Sequence, residues 1–144
     1  MIKSIGLNKI KTAIFISGNG SNFKKLYKFS LSKRSPITVC LVVSDNKNAK
    51  GLIYAKKYKL KKKIYRFKNK QITENRLLNY LKRKNIKLIC LAGFMKILHK
   101  NFIKKFNGKI LNIHPSLLPK FKGLNTHQRA IQNKEKFSGC TVHY

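Results

Sequence analysis

Short apolar runs recur along this chain, separated by segments whose apolar residues have helical spacing. The runs at residues 13–16, 37–43 and 88–92 are almost uninterrupted, the one at residues 37–43 is rich in β-branched residues, and residues 109–113 are apolar except for Lys109 and Asn112. Such runs are typical of strands that are buried on both faces of a sheet. Because parallel strands need a crossover between them, usually a helix, the alternation predicts a parallel α/β sheet with right-handed crossovers.

The predicted elements fill one domain of 144 residues, in which an apolar fraction of 42% is ample for a packed core. The last strand reaches Tyr144 without a cap or a following turn, so we expect the C-terminal part of the domain to be missing. In the third strand we expect Ile64 and Tyr65 to be buried. The predicted strands are residues 11–17, 37–43, 61–67, 88–92, 109–113 and 139–144, and the predicted helices are residues 23–30, 49–58, 72–81, 94–106 and 123–133.

The formal net charge of +31 is extreme, since Asp45, Glu74 and Glu135 alone oppose 34 basic residues. Such a chain would associate with polyanions at low salt, which makes nucleic-acid binding one hypothesis. However, only five of the 34 basic residues are arginines, and Asn and Ile are also abundant, as A+T-rich codons would produce. The lysines are scattered and form no stripe with interleaved aromatic residues. We therefore attribute the charge to compositional drift and expect no specific nucleic-acid partner.

The cysteines, Cys40, Cys90 and Cys140, are odd in number and far apart, and the first two lie within apolar runs. We therefore expect buried free thiols at Cys40 and Cys90 and a reducing, cytoplasmic compartment. The four histidines lack the close spacings of a zinc site, so we expect no metal. No apolar stretch approaches the roughly twenty residues that span a bilayer, and no signal peptide is recognisable, so we expect no membrane association.

Two polar loops follow predicted strands, which is where ligands bind in such sheets. The first, residues 17–22 with the sequence SGNGSN, lacks the lysine of a Walker A loop and the third glycine of a dinucleotide fingerprint. Its glycines allow close backbone approach, and Ser21 or Asn22 can cap the following helix, whose N-terminal amides favour a phosphate. The loop is either an ordinary strand-to-helix turn or a site for a small monophosphate.

The second loop begins at Asn112 and His114, which lie two positions apart at the end of a strand that Pro115 terminates. Residues i and i+2 of a strand project to the same side. An amide that donates to an oxyanion, beside an imidazole that exchanges a proton near neutral pH, would suit catalysis. The residues alone are about equally compatible with a catalytic role and with a structural role of His114. His127 and His143 are weaker candidates, each either a neighbour of the site or a surface group.

Three motifs together resemble the phosphoribosylglycinamide formyltransferase family, in its order and spacing. They are residues 17–22, residues 91–98 (LAGFMKIL) and residues 111–121 (LNIHPSLLPKF), with GLNTH at residues 123–127 beyond them. The resemblance runs from about Lys11 to Tyr144. It implies the formyltransferase fold, a Rossmann-like parallel sheet with helices on both faces. It also implies a phosphate-binding half at about residues 11–93 and the start of a folate-binding and catalytic half at about residues 94–144.

The resemblance implies an activity as well. A formyl group would pass from the co-substrate 10-formyltetrahydrofolate to the amine of glycinamide ribonucleotide, in de novo purine biosynthesis and without a metal. Asn112 would stabilise the tetrahedral oxyanion, and His114 would act as proton donor and electrostatic partner. The implied binding residues are Gly20, Ser21 and Asn22 for the substrate phosphate, and Met95, Lys96, Ile97 and Leu98 for folate.

The chain departs from the family's pattern at several positions. Lys96 replaces the usual Arg, which removes a planar, bidentate group, and Asn125 replaces a usual His. The family's third catalytic residue is an Asp a few positions beyond the motif that ends in His143 and Tyr144. Because the chain ends before that position, the resemblance implies two of three catalytic residues here and weak or no activity of this chain by itself.

Four other hypotheses remain open. A methionyl-tRNA formyltransferase shares the Asn-x-His signature but lacks the SGNGSN loop. A formyltetrahydrofolate deformylase carries an N-terminal regulatory domain for which this chain has no room. A catalytically impaired fragment that retains a nucleotide-binding half belongs to a different class. A basic RNA-binding module is disfavoured by the scattered lysines.

Overall fold

The computed structural model describes residues 8–66 and 69–144, and in them strands and helices alternate as the sequence predicts. The strands are β1 (Ile10–Ile16), β2 (Ile37–Ser44), β3 (Lys61–Ile64), β4 (Leu88–Leu91), β5 (Lys109–His114) and β6 (Thr141–His143). The helices are α1 (Ser21–Ser30), α2 (Gly51–Lys57), α3 (Lys70–Arg83), α4 (Lys100–Lys105) and α5 (Thr126–Gln132).

The strands of the described residues form one sheet in the order β3-β2-β1-β4-β5-β6. The first five strands are parallel to one another, whereas β6 runs antiparallel to β5. The predicted parallel α/β sheet is therefore confirmed for five strands and corrected for the sixth. This is the strand order of a Rossmann-like sheet, whose halves meet between β1 and β4.

Helices cover both faces of the sheet, and each face has its own apolar core. On one face, Ile14, Ile16 and Val42 pack with Phe23 of α1 and Leu52 of α2. On the other face the core is formed by alternate strand residues and by the apolar sides of α3 and α4, namely Ala13, Phe15, Leu41, Val43, Ile89, Leu77, Leu81 and Phe102. Since side chains of a strand alternate between faces, the uninterrupted apolar sequence of β1 reflects burial on both.

The short strand β3 departs from the prediction. All four of its residues are exposed, and Ile64 keeps 42% of its surface accessible. The reason is position, because β3 lies at the edge of the sheet and α2 and α3 do not cover it fully. Tyr65, just beyond the strand, is partly buried against the second core. Phe67, the last residue of the predicted strand, lies outside the described residues.

Two predicted helices begin three or more residues later in the structure than the sequence predicts. Residues 94–99 form a loop, and α4 begins only after His99, whose ring nitrogen Nδ1 accepts a hydrogen bond from the backbone N–H of Asn101 at 3.2 Å. The helix α5 begins at Thr126 because Asn125 before it has a left-handed backbone (φ 56°). Elsewhere the element ends differ from the predicted ones by one or two residues.

All three cysteines are free, and Cys90 is buried as predicted. Cys40 is only half-buried, which corrects the prediction. The register of β2 against β1 shifts between Thr12 and Ala13, so that Cys40 is the extra residue of a β-bulge. Among the described residues, no helix is long and apolar enough to cross a membrane.

Candidate functional site

The carboxyl ends of β1, β4 and β5 lie side by side, because these three strands are parallel neighbours. The loops that follow them, residues 17–20, 92–99 and 115–125, therefore emerge at the same end of the sheet. This end, which we call the carboxyl end of the sheet, holds all three sequence motifs. It is also where ligands bind in open α/β sheets.

Gly20 ends the first loop and is the N-cap of α1. Its backbone is left-handed (φ 74°, ψ 24°), and no side chain caps the helix. Ser21 and Asn22 are thus the first two helical residues, and the prediction that one of them caps α1 is wrong. The first intrahelical bond goes from the N–H of Lys24 to the carbonyl of Gly20, at 3.0 Å. The preceding N–H groups at the start of α1 consequently face the carboxyl end of the sheet, where an anion would find donors and the positive end of the helix dipole.

A second glycine holds this loop in place. The N–H of Gly51, at the start of α2, donates to the carbonyl of Gly18 at 3.0 Å. A Cβ atom on Gly20 would lie 2.7 Å from the Cα of Gly51, so the two backbones touch where a side chain would otherwise lie. Glycine backbone therefore holds the turn from β1 to α1 directly against the start of α2.

The loop after β4 contains the four residues predicted to line a folate pocket. Met95 and Ile97 are strongly exposed, at 62% and 84%, and Lys96 is exposed as well. Leu98 instead packs into the core between the sheet, α3 and α4, so that only its backbone can face a ligand. The loop offers two apolar side chains and a row of backbone groups at the carboxyl end of the sheet.

Ser17 connects the first loop to this second one, and no sequence motif indicated its role. Its backbone N–H donates to the carbonyl of Gly93 at 3.0 Å. Its hydroxyl accepts from the N–H of Met95 at 2.8 Å and donates to a carboxylate oxygen of Asp45 at 2.6 Å. Segments that follow β1, β2 and β4 therefore meet at the side chain of Ser17. The signal that could have found it is its position, directly after β1 and before the glycine-containing turn at residues 18–20.

The other end of the second loop is held by a buried carboxylate. Oε1 of Glu74, on α3, accepts from the backbone N–H of His99 at 2.8 Å, and Glu74 is only 4% exposed. Together with Ser17, Glu74 fixes both ends of the segment from Met95 to His99. Each of the three acidic residues has a partner, since Asp45 accepts from Ser17 and Glu135 pairs with Lys120 at 3.0 Å.

Asn112 lies in β5 opposite His143 of β6, and their side chains touch. Nδ2 of Asn112 is 3.1 Å from Nε2 of His143, and both residues are partly buried. Nδ1 of His143 is 2.9 Å from the carbonyl oxygen of Tyr144. Since that oxygen can only accept, Nδ1 carries the proton and Nε2 accepts from the amide. His143 is thus a neighbour of Asn112, one of the two possibilities that the sequence left open.

His114 ends the same strand two residues later, opposite Thr141. Its Nε2 lies 3.1 Å from the carbonyl oxygen of Phe121, in the loop that follows β5. The hydroxyl of Ser116 donates to the backbone carbonyl of Lys120 in the same loop, at 2.7 Å. Because the Phe121 oxygen only accepts, Nε2 of His114 carries the proton. Nδ1 is then the nitrogen that can exchange a proton with a ligand. His127 is exposed on α5 and has no role in this arrangement.

Cavities lie near both ends of the sheet. One of about 300 Å³ lies beside the loop after β5, and Pro115, Leu117 and Phe121 are among its lining residues. A larger one of about 440 Å³ lies near Lys87 and Asn107, which precede β4 and β5. The larger cavity is therefore at the opposite end of the sheet from Asn112 and His114. Within residues 8–66 and 69–144 no group of three or more His, Cys, Asp or Glu side chains could hold a metal ion.

Comparison with known proteins identifies the family of this arrangement. The family model for formyl transferase matches residues 10–144, which is nearly the whole chain. The chain belongs to the formyl transferase family. The phosphoribosylglycinamide formyltransferase of Haemophilus influenzae is 41% identical over 137 residues, which are 93% of this chain. The trifunctional purine biosynthetic protein adenosine-3 of Gallus gallus is 39% identical over 143 residues, or 97% of the chain.

A solved structure of a phosphoribosylglycinamide formyltransferase has the same fold as this formyl transferase chain. The crystal structure of the phosphoribosylglycinamide formyltransferase from Brucella melitensis superposes with a TM-score of 0.88 at 40% identity, over 94% of this chain and 72% of that one. The chain spans 65% of the Haemophilus relative and 14% of the much longer Gallus protein. The matched region includes all the loops described above.

Proposed function

We propose that this chain carries the nucleotide-binding and central catalytic part of a phosphoribosylglycinamide formyltransferase. Such an enzyme transfers the formyl group of 10-formyltetrahydrofolate to the amine of glycinamide ribonucleotide. The observation that carries the proposal is the arrangement of Asn112 and His114 at the end of β5, beside the loops that begin at Ser17 and Ala92. The names of its relatives, at 41% and 39% identity, support the same reaction.

The substrate phosphate would bind at Gly20, Ser21 and Asn22. The free N–H groups at the start of α1 supply donors, and the left-handed backbone of Gly20 lets the anion approach the chain closely. No acidic residue lies in the first turn of α1, so nothing there repels a phosphate. This segment belongs to the half of the domain at residues 11–93, which we propose as the phosphate-binding half.

Folate would bind against the loop containing Met95, Lys96, Ile97 and Leu98, at the start of the second half, residues 94–144. Met95 and Ile97 present exposed apolar surface, which suits a flat aromatic ring. Lys96 can offer a charge but not the planar fork of an arginine. Leu98 would contribute through its backbone, because its side chain is in the core.

The reaction joins the substrate amine to the formyl carbon and breaks the bond between that carbon and N10 of folate. The tetrahedral intermediate carries an oxyanion, and the proton lost by the amine must reach N10. One N–H of Asn112 is held by His143, which leaves the second free to donate to the oxyanion. His114, with Nε2 held by Phe121, would move the proton at Nδ1.

The test is a formylation assay on two proteins. One is the 144-residue chain, and the other is this chain extended at Tyr144 by the segment of the Haemophilus relative that lies beyond the matched region. We expect the extended protein to form formylated glycinamide ribonucleotide, detected by mass spectrometry. A folded extended protein that binds neither substrate, while the Haemophilus enzyme is active in the same assay, would overturn the proposal.

The residue assignment is tested in the protein that shows turnover. His114→Ala should lower the rate by about 10² to 10⁴, the usual contribution of a general acid or base. His127→Ala is the matched control, since His127 is exposed and takes part in none of these hydrogen bonds, and it should leave the rate unchanged. Equal turnover of the wild type and the His114 variant would show that the catalytic assignment is wrong.

A further inference from the structure

The loop at residues 93–99 packs on the core at Phe94, whose ring lies edge-on to that of Phe15 with centroids 5.4 Å apart, and at Leu98, and it is exposed between these two residues. Met95 and Ile97 project into solvent, and Leu98 is the one side chain of residues 95–98 that is buried. The backbone between Phe94 and Leu98 therefore depends on the hydrogen bonds at the two ends of the loop as well as on these two packed side chains. Glu74 holds the end at His99, and Ser17 holds the end at Gly93 and Met95.

The hydroxyl of Ser17 has one proton, and the structure shows where it goes. Asp45 lies 2.6 Å away and its ionised carboxylate can only accept, so the Ser17 proton points at Asp45. A lone pair of the hydroxyl is then directed at the N–H of Met95, at 2.8 Å. Without Asp45 the hydroxyl would rotate freely and could turn its proton toward the Met95 N–H. Asp45 therefore sets the direction in which Ser17 accepts.

The first loop does not depend on this hydroxyl. Gly18 accepts from Gly51 at 3.0 Å, and the backbone contact between Gly20 and Gly51 holds the turn before α1. The hydroxyl of Ser17 therefore links a turn that is already held against α2 to the exposed segment Met95–Ile97 of the second loop.

We propose that Ser17 and Asp45 are positioning residues that fix the folate-lining loop relative to the phosphate-binding turn. The inference rests on the proposed function, because it assigns the loop at residues 95–98 to the folate co-substrate. Neither side chain needs to touch a ligand for this role. Ser17 sets the distance between the two halves of the site, and Asp45 orients Ser17.

The first test is independent of catalysis. Amide hydrogen exchange of the 144-residue chain is measured by NMR for Ser17→Ala, Asp45→Ala and Asp45→Asn. Loss of one hydrogen bond should speed exchange at the Met95 N–H about tenfold in Ser17→Ala, and by less in Asp45→Ala. Asp45→Asn should stay close to wild type, because its amide oxygen can accept from Ser17. Ser32→Ala, at the far end of α1, is the matched control. An unchanged Met95 exchange rate in Ser17→Ala overturns the inference.

The second test is kinetic and uses the form of the protein that formylates. In Ser17→Ala we expect the KM for 10-formyltetrahydrofolate to rise about tenfold, the KM for glycinamide ribonucleotide to stay within about twofold, and Asp45→Asn to retain near wild-type values. A role in stability alone would lower the melting temperature without this asymmetry, which would overturn the inference. If the wild type itself shows no formylation, the proposed function fails, and the Met95 exchange rate still decides whether Ser17 holds the loop.

Discussion

Nδ2 of Asn112 lies 3.1 Å from Nε2 of His143, across the antiparallel pair of β5 and β6. The contact fixes the orientation of an amide whose second proton we assign to the oxyanion. His143→Ala should let the Asn112 side chain rotate and should lower formylation about tenfold, less than the 10² to 10³ expected for Asn112→Ala, which loses the donor itself. The rates are measured on the extended protein at saturating substrates.

The same variants distinguish a supporting role of His143 from a catalytic one. His127→Ala has no such neighbour and should behave as wild type. If His143→Ala proved as slow as Asn112→Ala, His143 would act directly in catalysis and would do more than orient the amide of Asn112. Full activity of His143→Ala would remove it from the site.

Gly20 is a position where the backbone and the packing both exclude a side chain. The left-handed backbone costs about 1–2 kcal/mol for an L-residue, and a Cβ would lie 2.7 Å from the Cα of Gly51. We expect Gly20→Ala to lower the free energy of unfolding in urea by at least about 2 kcal/mol. Gly18→Ala is the matched control, because a Cβ there meets nothing within 4 Å, and its effect should stay within about 0.5 kcal/mol. Equal stability of the two variants would contradict the proposed contact.

The sequence predicted those parts of the fold that depend on local pattern. Continuous apolar runs identified β1, β2, β4 and β5, since a strand between two helical layers must be apolar on both sides. It could not predict that Ile64 is exposed or that β6 is antiparallel, because these depend on which strands lie at the edges of the sheet. Alternation of residues gives the faces of a strand but not its direction.

The candidate site was predictable to a similar extent. The pair Asn112 and His114 followed from their spacing at the end of a strand, and the loop at residues 17–22 followed from its glycines. The hydrogen bond from Met95 to Ser17 spans 78 positions in the chain, and nothing in either local sequence indicates the other. The contact of Asn112 with His143 is equally non-local. Side chains that position a site are found only when the packing of the strands is known.

The thiols should differ in reactivity. Burial raises the pKa of Cys90 from its ordinary value of 9.0 to about 11, and burial also raises the pKa of Cys40, opposed by a backbone hydrogen bond of Thr12 and by the charge of Lys11. Since the thiolate is the reactive form, a thiol-specific chromogenic reagent at pH 8 should modify the exposed Cys140 rapidly and the other two slowly. Cys140→Ser should remove the rapid phase. A rapid phase that persists in this variant would show that the core is open at Cys40 or Cys90.

The same shift gives a pH dependence of stability. In the unfolded chain Cys90 ionises near pH 9, whereas in the folded chain it stays neutral until about pH 11. The stability that the folded state gains from burying the neutral Cys90 thiol is therefore fully present below about pH 9 and is lost as the pH rises toward 11. Cys90→Ala should flatten the decline of the urea midpoint in this range relative to wild type, although it also lowers the midpoint at neutral pH.

Three helices end in the same motif without the glycine that normally terminates it. After α2, α3 and α5, the left-handed residue is Lys59 (φ 54°), Asn85 (φ 52°) or Lys134 (φ 50°). Each motif has the two backbone bonds of a Schellman turn, for example Leu60 N–H to Ala55 carbonyl at 2.9 Å and Lys59 N–H to Lys56 carbonyl at 3.0 Å. Lysine at such a position fits the compositional drift inferred from the sequence, because A+T-rich codons exclude glycine.

Replacing these lysines should therefore stabilise the protein. Lys59→Gly and Lys134→Gly relieve a left-handed backbone, and each should raise the free energy of unfolding by about 0.5–1 kcal/mol after the entropy cost of glycine in the unfolded chain. Lys56→Gly, inside α2, is the matched control and should lower it by up to about 1 kcal/mol. Urea unfolding of the three variants measures both signs. If Lys59→Gly lowered the free energy of unfolding, the Lys59 side chain would contribute more to stability than its left-handed backbone costs. Lysine at this position would then reflect selection for stability and not compositional drift.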